Sequence, residues 1–338
     1  MSIISSVGRR CAVALLFLLA LSAAQGEDSL GRVRKAVERC TLDQKGTHPF
    51  HVKATIAPSL ARYNDSGRTG EVEIWWRAPG EFRRELGAPG FHQVQIVSGG
   101  RVWEKDDGDY FPDWLRRVAE ALVRPLPLES SAAKGIAPDK ERVLMGSLYL
   151  NWEKPLPANM QPQKQDVALN DGTGLFFYDG GLGWGALFKD YANFHGRDIA
   201  RTVTSDSPEV MAKLVVLEDL PHVADGWFDA TASGSDIPIR TIAVDNAPLA
   251  DTVSGPVPVP VWPEVTNSRL TGVVWVDLVL DRSGHIREPF APISDNPAIN
   301  DAAKAYFSSF QFKPVLQEGV PVQVVRRIAL AFELHQAK

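Results

Sequence analysis

The chain has 338 residues, 44% of them hydrophobic and 23% charged, with a formal net charge of −5. That is length for roughly two domains, with apolar residues enough for buried cores. The lack of any basic stripe argues against a nucleic-acid partner, and an acidic balance of this size bears on solubility and little more.

Residues 1–24 have the make-up of an export signal. Arg9 and Arg10 stand in front, Cys11 to Ala20 is an apolar run, and Ser22-Ala23-Ala24 gives a small-residue cleavage site. The run falls short of the roughly 20 residues that span a bilayer, so cleavage is favoured over anchoring. The expected compartment is the periplasm, with inner-membrane anchoring as the outcome if the signal stays on. Removal leaves Cys40 as the remaining cysteine, unable to form an internal disulfide and expected to be buried on the first helix.

Residues 28–43 read as an amphipathic helix, with Leu30, Val33, Val37 and Cys40 on one stripe. Strands are expected at 48–54, 70–77, 81–87, 91–97 and 101–105, the later ones separated by Ala78-Pro79-Gly80, Gly87-Ala88-Pro89-Gly90 and Ser98-Gly99-Gly100. Short strands joined by turns predict an antiparallel meander. Trp114 to Val123 has helical spacing and stops before Pro125. Further strands are expected at 142–150, 174–178, 184–191, 199–203 and 211–217, with 158–170 as a polar surface loop.

The helix before Phe50-His51-Val52-Lys53-Ala54, the strand from Gly70 to Trp76, Phe82-Arg83-Arg84-Glu85 and the stretch from Lys189 to Ile199 carry a resemblance. They are similar to the periplasmic lipoprotein-carrier (LolA-like) fold, a curved antiparallel half-barrel with a helix across its open face. Such carriers bind acyl chains in the concave face, so the resemblance implies lipid as a partner of residues 27–245. Trp75-Trp76 must send one indole to each face of its strand, and the pair is the candidate contact for an apolar ligand.

Residues 246–261 form a proline-rich linker. From Ala247 to Val261 the chain has four prolines and alternating Val-Pro, which favours a polyproline II spacer of about 3 Å per residue. Beyond it, residues 262–338 read as β-β-α-β. Val274, Val276, Leu278 and Leu280 alternate on one strand face, and Asp281-Arg282-Ser283-Gly284 is a turn. Ile286 to Ile293 is a returning edge strand broken by Pro289 and Pro292. Asn296-Pro297 starts a helix through Phe307, and a long strand runs from Val322 to Leu334 with Arg326 as the exception on its apolar face.

Trp262-Pro263, Leu270-Thr271-Gly272, the Asp281 to Gly284 turn, the Ile299 to Tyr306 helix, Phe310-Gln311-Phe312-Lys313-Pro314 and Gly319-Val320-Pro321-Val322 follow one another in a known order. This tail resembles the C-terminal domain of the TonB family of energy transducers. The resemblance implies a last strand with an open ladder that captures a short peptide of an outer-membrane transporter, or another periplasmic protein, by strand addition. The implied docking residues are Val322, Gln323, Val324, Val325, Arg326, Arg327 and Ile328, with Trp262 and Pro263 gripping the guest. The same rim could pair two copies as a homodimer.

No chemistry competes with these readings. The seven histidines show no metal-ligand spacing on a helix and no HExxH, and His48 and His51 read as surface or packing residues at a strand start. Asp106-Asp107-Gly108-Asp109 with Asp113 lacks the spacing of a calcium loop and reads as a solvated turn. No cofactor fingerprint and no catalytic constellation is found. The expected fold class is α+β, a curved antiparallel sheet followed by a small β-β-α-β domain. Peptide binding by strand addition leads, and carriage of lipid or another apolar ligand is the alternative.

Overall fold

In a computed structural model the chain is described over residues 29–59, 68–126, 140–144, 147–154, 163–181, 184–205, 209–231, 238–244, 252–257, 259–264, 271–287 and 297–333. Residues 1–24, read as an export signal, lie outside the described residues, as do 288–293 of the expected returning strand. Among the described residues no helix is long and apolar enough to cross a membrane.

The fold is α+β and mostly antiparallel sheet. A first helix, α1 (Ser29–Cys40), precedes five strands joined as a meander: β1 (Phe50–Pro58), β2 (Gly70–Ala78), β3 (Glu81–Ala88), β4 (Phe91–Ser98) and β5 (Arg101–Gly108). The β4–β5 connection is the two residues Gly99 and Gly100, both at positive φ, as a tight hairpin turn that follows strand twist requires. After α2 (Asp113–Val123) come β6 (Lys140–Leu144), β7 (Ser147–Lys154), β8 (Gln163–Asn170), β9 (Phe176–Gly181), β10 (Trp184–Phe194), β11 (Arg197–Ser205) and β12 (Val210–Asp219).

These strands form one twelve-stranded sheet in the order β5-β4-β3-β2-β1-β12-β11-β10-β9-β8-β7-β6. The first meander runs outward from β1, and the second runs back inward until β12 pairs with β1. The segment 163–170, expected to be a surface loop, is a strand, and its Val167, Ala168 and Leu169 are buried. Its polar opening residues hid the apolar second half.

Both helices lie on one face of this sheet and share a single apolar core with β1–β4 and β8–β12. Of the expected stripe on α1, Val33 is fully covered and Cys40 is 2% exposed, while Val37 is half-buried; Ala36, which the stripe did not include, is fully covered beside them. Burial pushes the Cys40 thiol up to about 11, so it stays protonated and unreactive at neutral pH. Arg39 at the end of α1 pairs with Asp198, and Arg32 reaches Asp171 at 2.8 Å, pinning the helix over the β10–β11 and β8–β9 turns. Arg124, just past α2, holds Asp43 with two hydrogen bonds, and the Leu42 amide donates to the Val123 carbonyl. The two helices are thus joined end to end.

The second sheet is mixed. Its long central strand, β16 (Val320–Glu333), pairs antiparallel with β14 (Thr271–Leu280) and parallel with β13 (Thr241–Ala243), and folds back on the short β15 (Val315–Gln317). The helix α3 (Pro297–Ser308) packs on β14. Ile299, Ala303 and Phe307 meet Val274, Val276 and Leu278 in a second core. The returning chain after Gly284 touches β14 through a bridge at Ile286 and a hydrogen bond from Arg287 N to Val279 O. Gly284 sits at φ +83°, and a Cβ there would meet the Phe312 carbonyl oxygen at 2.1 Å.

The stretch expected to be a free spacer is docked at 252–254. Val253 is buried in the second core, Ser254 N bonds to Gln311 O, and Thr252 O accepts from Lys313 N.

The two sheets meet through buried polar groups. Gln323 on β16 is 1% exposed. Its Oε1 accepts from the Phe111 amide at 2.8 Å, and its Nε2 donates to the Phe111 carbonyl at 2.7 Å. Asp106, read from sequence as part of a solvated turn, is 5% exposed and accepts from the Ile239 amide at 2.6 Å. Gln323→Leu keeps volume and strands both Phe111 groups, so a loss of about 2 kcal/mol is expected in urea unfolding; an unchanged midpoint would mean water replaces the side chain.

Candidate ligand-binding face

Residues directly opposite in antiparallel strands share a face, so the register sorts the helix-side face of the large sheet into rows. One row is Phe50, Trp76, Phe82, Val97 and Val102, read across β1 to β5. Its exposure rises along the way. Phe50 is fully covered and Trp76 is 3% exposed, Phe82 and Val97 are half-buried, and Val102 at the sheet edge is 64% exposed. On the other side of Val52, Leu217 of β12 is another half-buried apolar residue packed on the core.

Size explains why this face is incompletely covered. Helices of 12 and 11 residues are about 18 and 16 Å long and about 10 Å wide. Twelve strands at about 4.8 Å spacing make a sheet about 58 Å across. The sheet therefore has to curl around the helices to bury what it does. α2 indeed touches both β3 and β11, which are separated by three strands in the sheet order.

Beside the apolar row lies a polar inlay. The adjoining rows bring Arg84, Gln95 and Glu104 together, then Leu86, Gln93 and Asp106. Gln95 Nε2 donates to Glu104 at 2.5 Å, Gln93 Nε2 to Asp106 at 2.9 Å, and Arg84 Nη2 to Gln93 at 3.3 Å. The Arg84 Nε is buried without a hydrogen-bond partner. Burial draws the Arg84 guanidinium below its ordinary value, and burial followed by the nearby Asp106 charge lifts Glu104 above the usual carboxylate range. At the start of α2, Asp113 is held below its ordinary value; burial works against ionisation, and Arg117 and Arg116 outweigh it.

The two candidate indoles fall as their alternation requires, but neither is open. Trp76 stacks on Phe50 at 5.2 Å within the core. Trp75, on the other face, is 8% exposed because His51 stacks on it at 5.1 Å and Trp227 closes edge-on at 5.2 Å. The pair expected to contact a ligand is thus covered, Trp75 by His51 and by the segment around Trp227, which has no strand signal of its own. The side chains that do offer apolar surface are Phe82, Val97 and Val102. Only the strand register reveals them, because they come from three different strands.

The rim of the last strand, expected to be open, is paired up to Val325. Gln323, Val324 and Val325 pair with Thr241, Ile242 and Ala243 of β13, and Val322 pairs with Val315 of β15. The ladder expected to be open there is filled by the chain itself. Val322, Val324 and Ile328 point into the second core. Arg326 is 3% exposed and donates to Thr252 Oγ1 at 2.6 Å, which accounts for its place on an apolar face. Arg327 stands opposite Asp277 in the β14 ladder. Trp262 is half-buried and packs against Phe332 with ring centres 6.0 Å apart, and Pro263 is half-buried beside it.

No known family matches the chain, and no curated protein matches it. Among solved structures it is similar to a LolA superfamily protein from Nitrosomonas europaea, at 10% identity and a TM-score of 0.36 over 58% of this chain and 96% of that one. It is also similar to PNGF-II, at 8% identity and a TM-score of 0.17, over 69% of this chain and 43% of that protein. Likenesses at these levels say nothing of ligand or activity.

The raised Glu104 has a measurable sign. Its contribution to stability is present below the unfolded-state value of about 4.3 and is lost as pH rises through the raised folded value. Glu104→Gln keeps an acceptor for Gln95 and removes the charge. Its urea midpoint is expected to match the parent near pH 4 and to exceed it toward pH 7; parallel curves across that range would show that Glu104 ionises freely.

Proposed function

We propose that the chain is an exported periplasmic protein whose large sheet takes up an apolar ligand, an acyl chain or a molecule of similar shape. The observation that carries this reading is the graded row from Val102 to Phe50. An unbroken apolar track from solvent to core, flanked by polar and charged side chains, is what a ligand with an apolar body and a polar end would follow. Each Å² of apolar surface it covers contributes about 25 cal/mol. The signal-like residues 1–24 support export.

Capture of a transporter peptide by strand addition has less to stand on. With β13 and β15 covering Val320 to Val325 of β16, the strand edges of the second sheet that no register pair fills, among the described residues, are β16 beyond Val325 on that side and the outer sides of β13, β15 and β14 before Val279. Those are the places where a guest strand would have to lie.

The test is titration of the full chain with a fluorescent fatty acid. Saturable binding is expected, and Val102→Asp or Phe82→Asp should weaken it about tenfold, equal to about 1.4 kcal/mol. Val102 is exposed enough that thermal unfolding should hardly change. Binding that ignores both substitutions, or no saturable binding by the parent, removes the reading.

A further inference from the structure

At the end of the seam where the two meanders join, His48, His195 and Asp219 come together. One ligand atom from each lies within 4.8 Å of the others. His195 Nε2 is 2.5 Å and His48 Nδ1 3.3 Å from the same Asp219 Oδ1. The two imidazoles are stacked, 4.2 Å between centres and 17° apart. All three side chains face solvent. We infer that these residues form a site for a divalent transition metal of the zinc type, with water completing the coordination.

The chemistry fits. Two imidazole nitrogens and one carboxylate oxygen are a donor set that zinc takes in sites that keep open positions. Bonds of about 2.0–2.1 Å in tetrahedral geometry put donor atoms about 3.3 Å apart. The three donors already bracket that spacing; the two stacked rings have to turn out of parallel so that both nitrogens point at one ion, and as exposed side chains they are free to do so.

The cluster also rests on a backbone that does not have to form around the ion. Asp219 pairs with Phe50 at the end of the β1–β12 ladder, and the Leu220 amide donates to the Pro49 carbonyl at 3.1 Å. His48 and Asp219 are therefore held side by side. His195 sits in the β10–β11 turn at φ +48°, in the left-handed region that few side chains favour. The Gly196 amide bonds to Asn193 Oδ1 at 3.2 Å, and the buried Phe194 packs edge-on against the His195 ring at 4.7 Å. A turn so fixed aims the imidazole at Asp219. No spacing rule finds this set, because its members come from three distant stretches that meet only in the folded sheet.

The experiment is calorimetric titration of the full chain, freed of any purification tag, with zinc chloride in a non-coordinating buffer. One equivalent is expected to bind with a micromolar or tighter constant. Asp219→Asn and His195→Asn, the latter keeping a residue that tolerates positive φ, should each weaken binding at least tenfold. His92→Gln, exposed on β4 and away from the seam, should leave it unchanged. Cobalt(II) in place of zinc should give the visible absorption of a coordinated ion, lost in the same two variants. Circular dichroism of the metal-free variants confirms their fold. Absence of zinc binding by the parent overturns the inference. So does one-equivalent binding that survives in a folded His48→Gln, His195→Asn double variant.

Discussion

The pairing of β1 with β12 is the constraint on which the rest of the molecule hangs. Each meander is built from local hairpins, but only this ladder turns two partial sheets into one. Its register shifts between Lys53 and Ala54, a bulge that bends the strand and adds twist where the sheet must curl. His51 braces the seam from outside, with Nδ1 at 2.9 Å from Glu218 on β12 and Nε2 at 2.9 Å from Glu73 on β2. The pairing joins residues far apart in the chain, so the entropy of closing that loop must be overcome before most of the core can form.

A different logic holds the two sheets together. Their contact is made by hydrogen bonds of buried polar side chains to backbone groups, Gln323 to Phe111 and Asp106 to Ile239, with Arg282 Nη2 donating to Gly108 O at the margin. An apolar contact would tolerate sliding. A side-chain amide matched to both groups of one peptide unit does not, because any displacement leaves several buried groups unpaired at once. The arrangement spends polar groups on orientation, and Gln323 can serve it because alternation sends its side chain away from the α3 core.

Much of the architecture was written locally. Alternation and glycine turns marked the first meander, and helical spacing marked α1, α2 and α3. What was not legible is what depends on partners. β8 opens with Gln163-Lys164-Gln165-Asp166 and looks like a loop until a neighbouring strand covers its second half. β13 has three residues, too few for any periodic signal, yet it decides the fate of the β16 rim. Likewise Val102 alone is one exposed valine; the row that gives it meaning is a property of five registered strands. Asp106 looked solvated because its acidic neighbours are, and its burial follows from the second sheet closing over it.

The short parallel strand β13 has a consequence for how the tail can be handled. A fragment cut after residue 245, the boundary that composition alone suggests, would discard β13 and bare the backbone groups of Gln323 to Val325. Isolated in that form, the tail would hold a sticky, artificial edge, prone to exchange with other copies or to seize extended chains in a mixture. Self-association or peptide capture seen only in such a truncated piece would then report the scissors and not the protein.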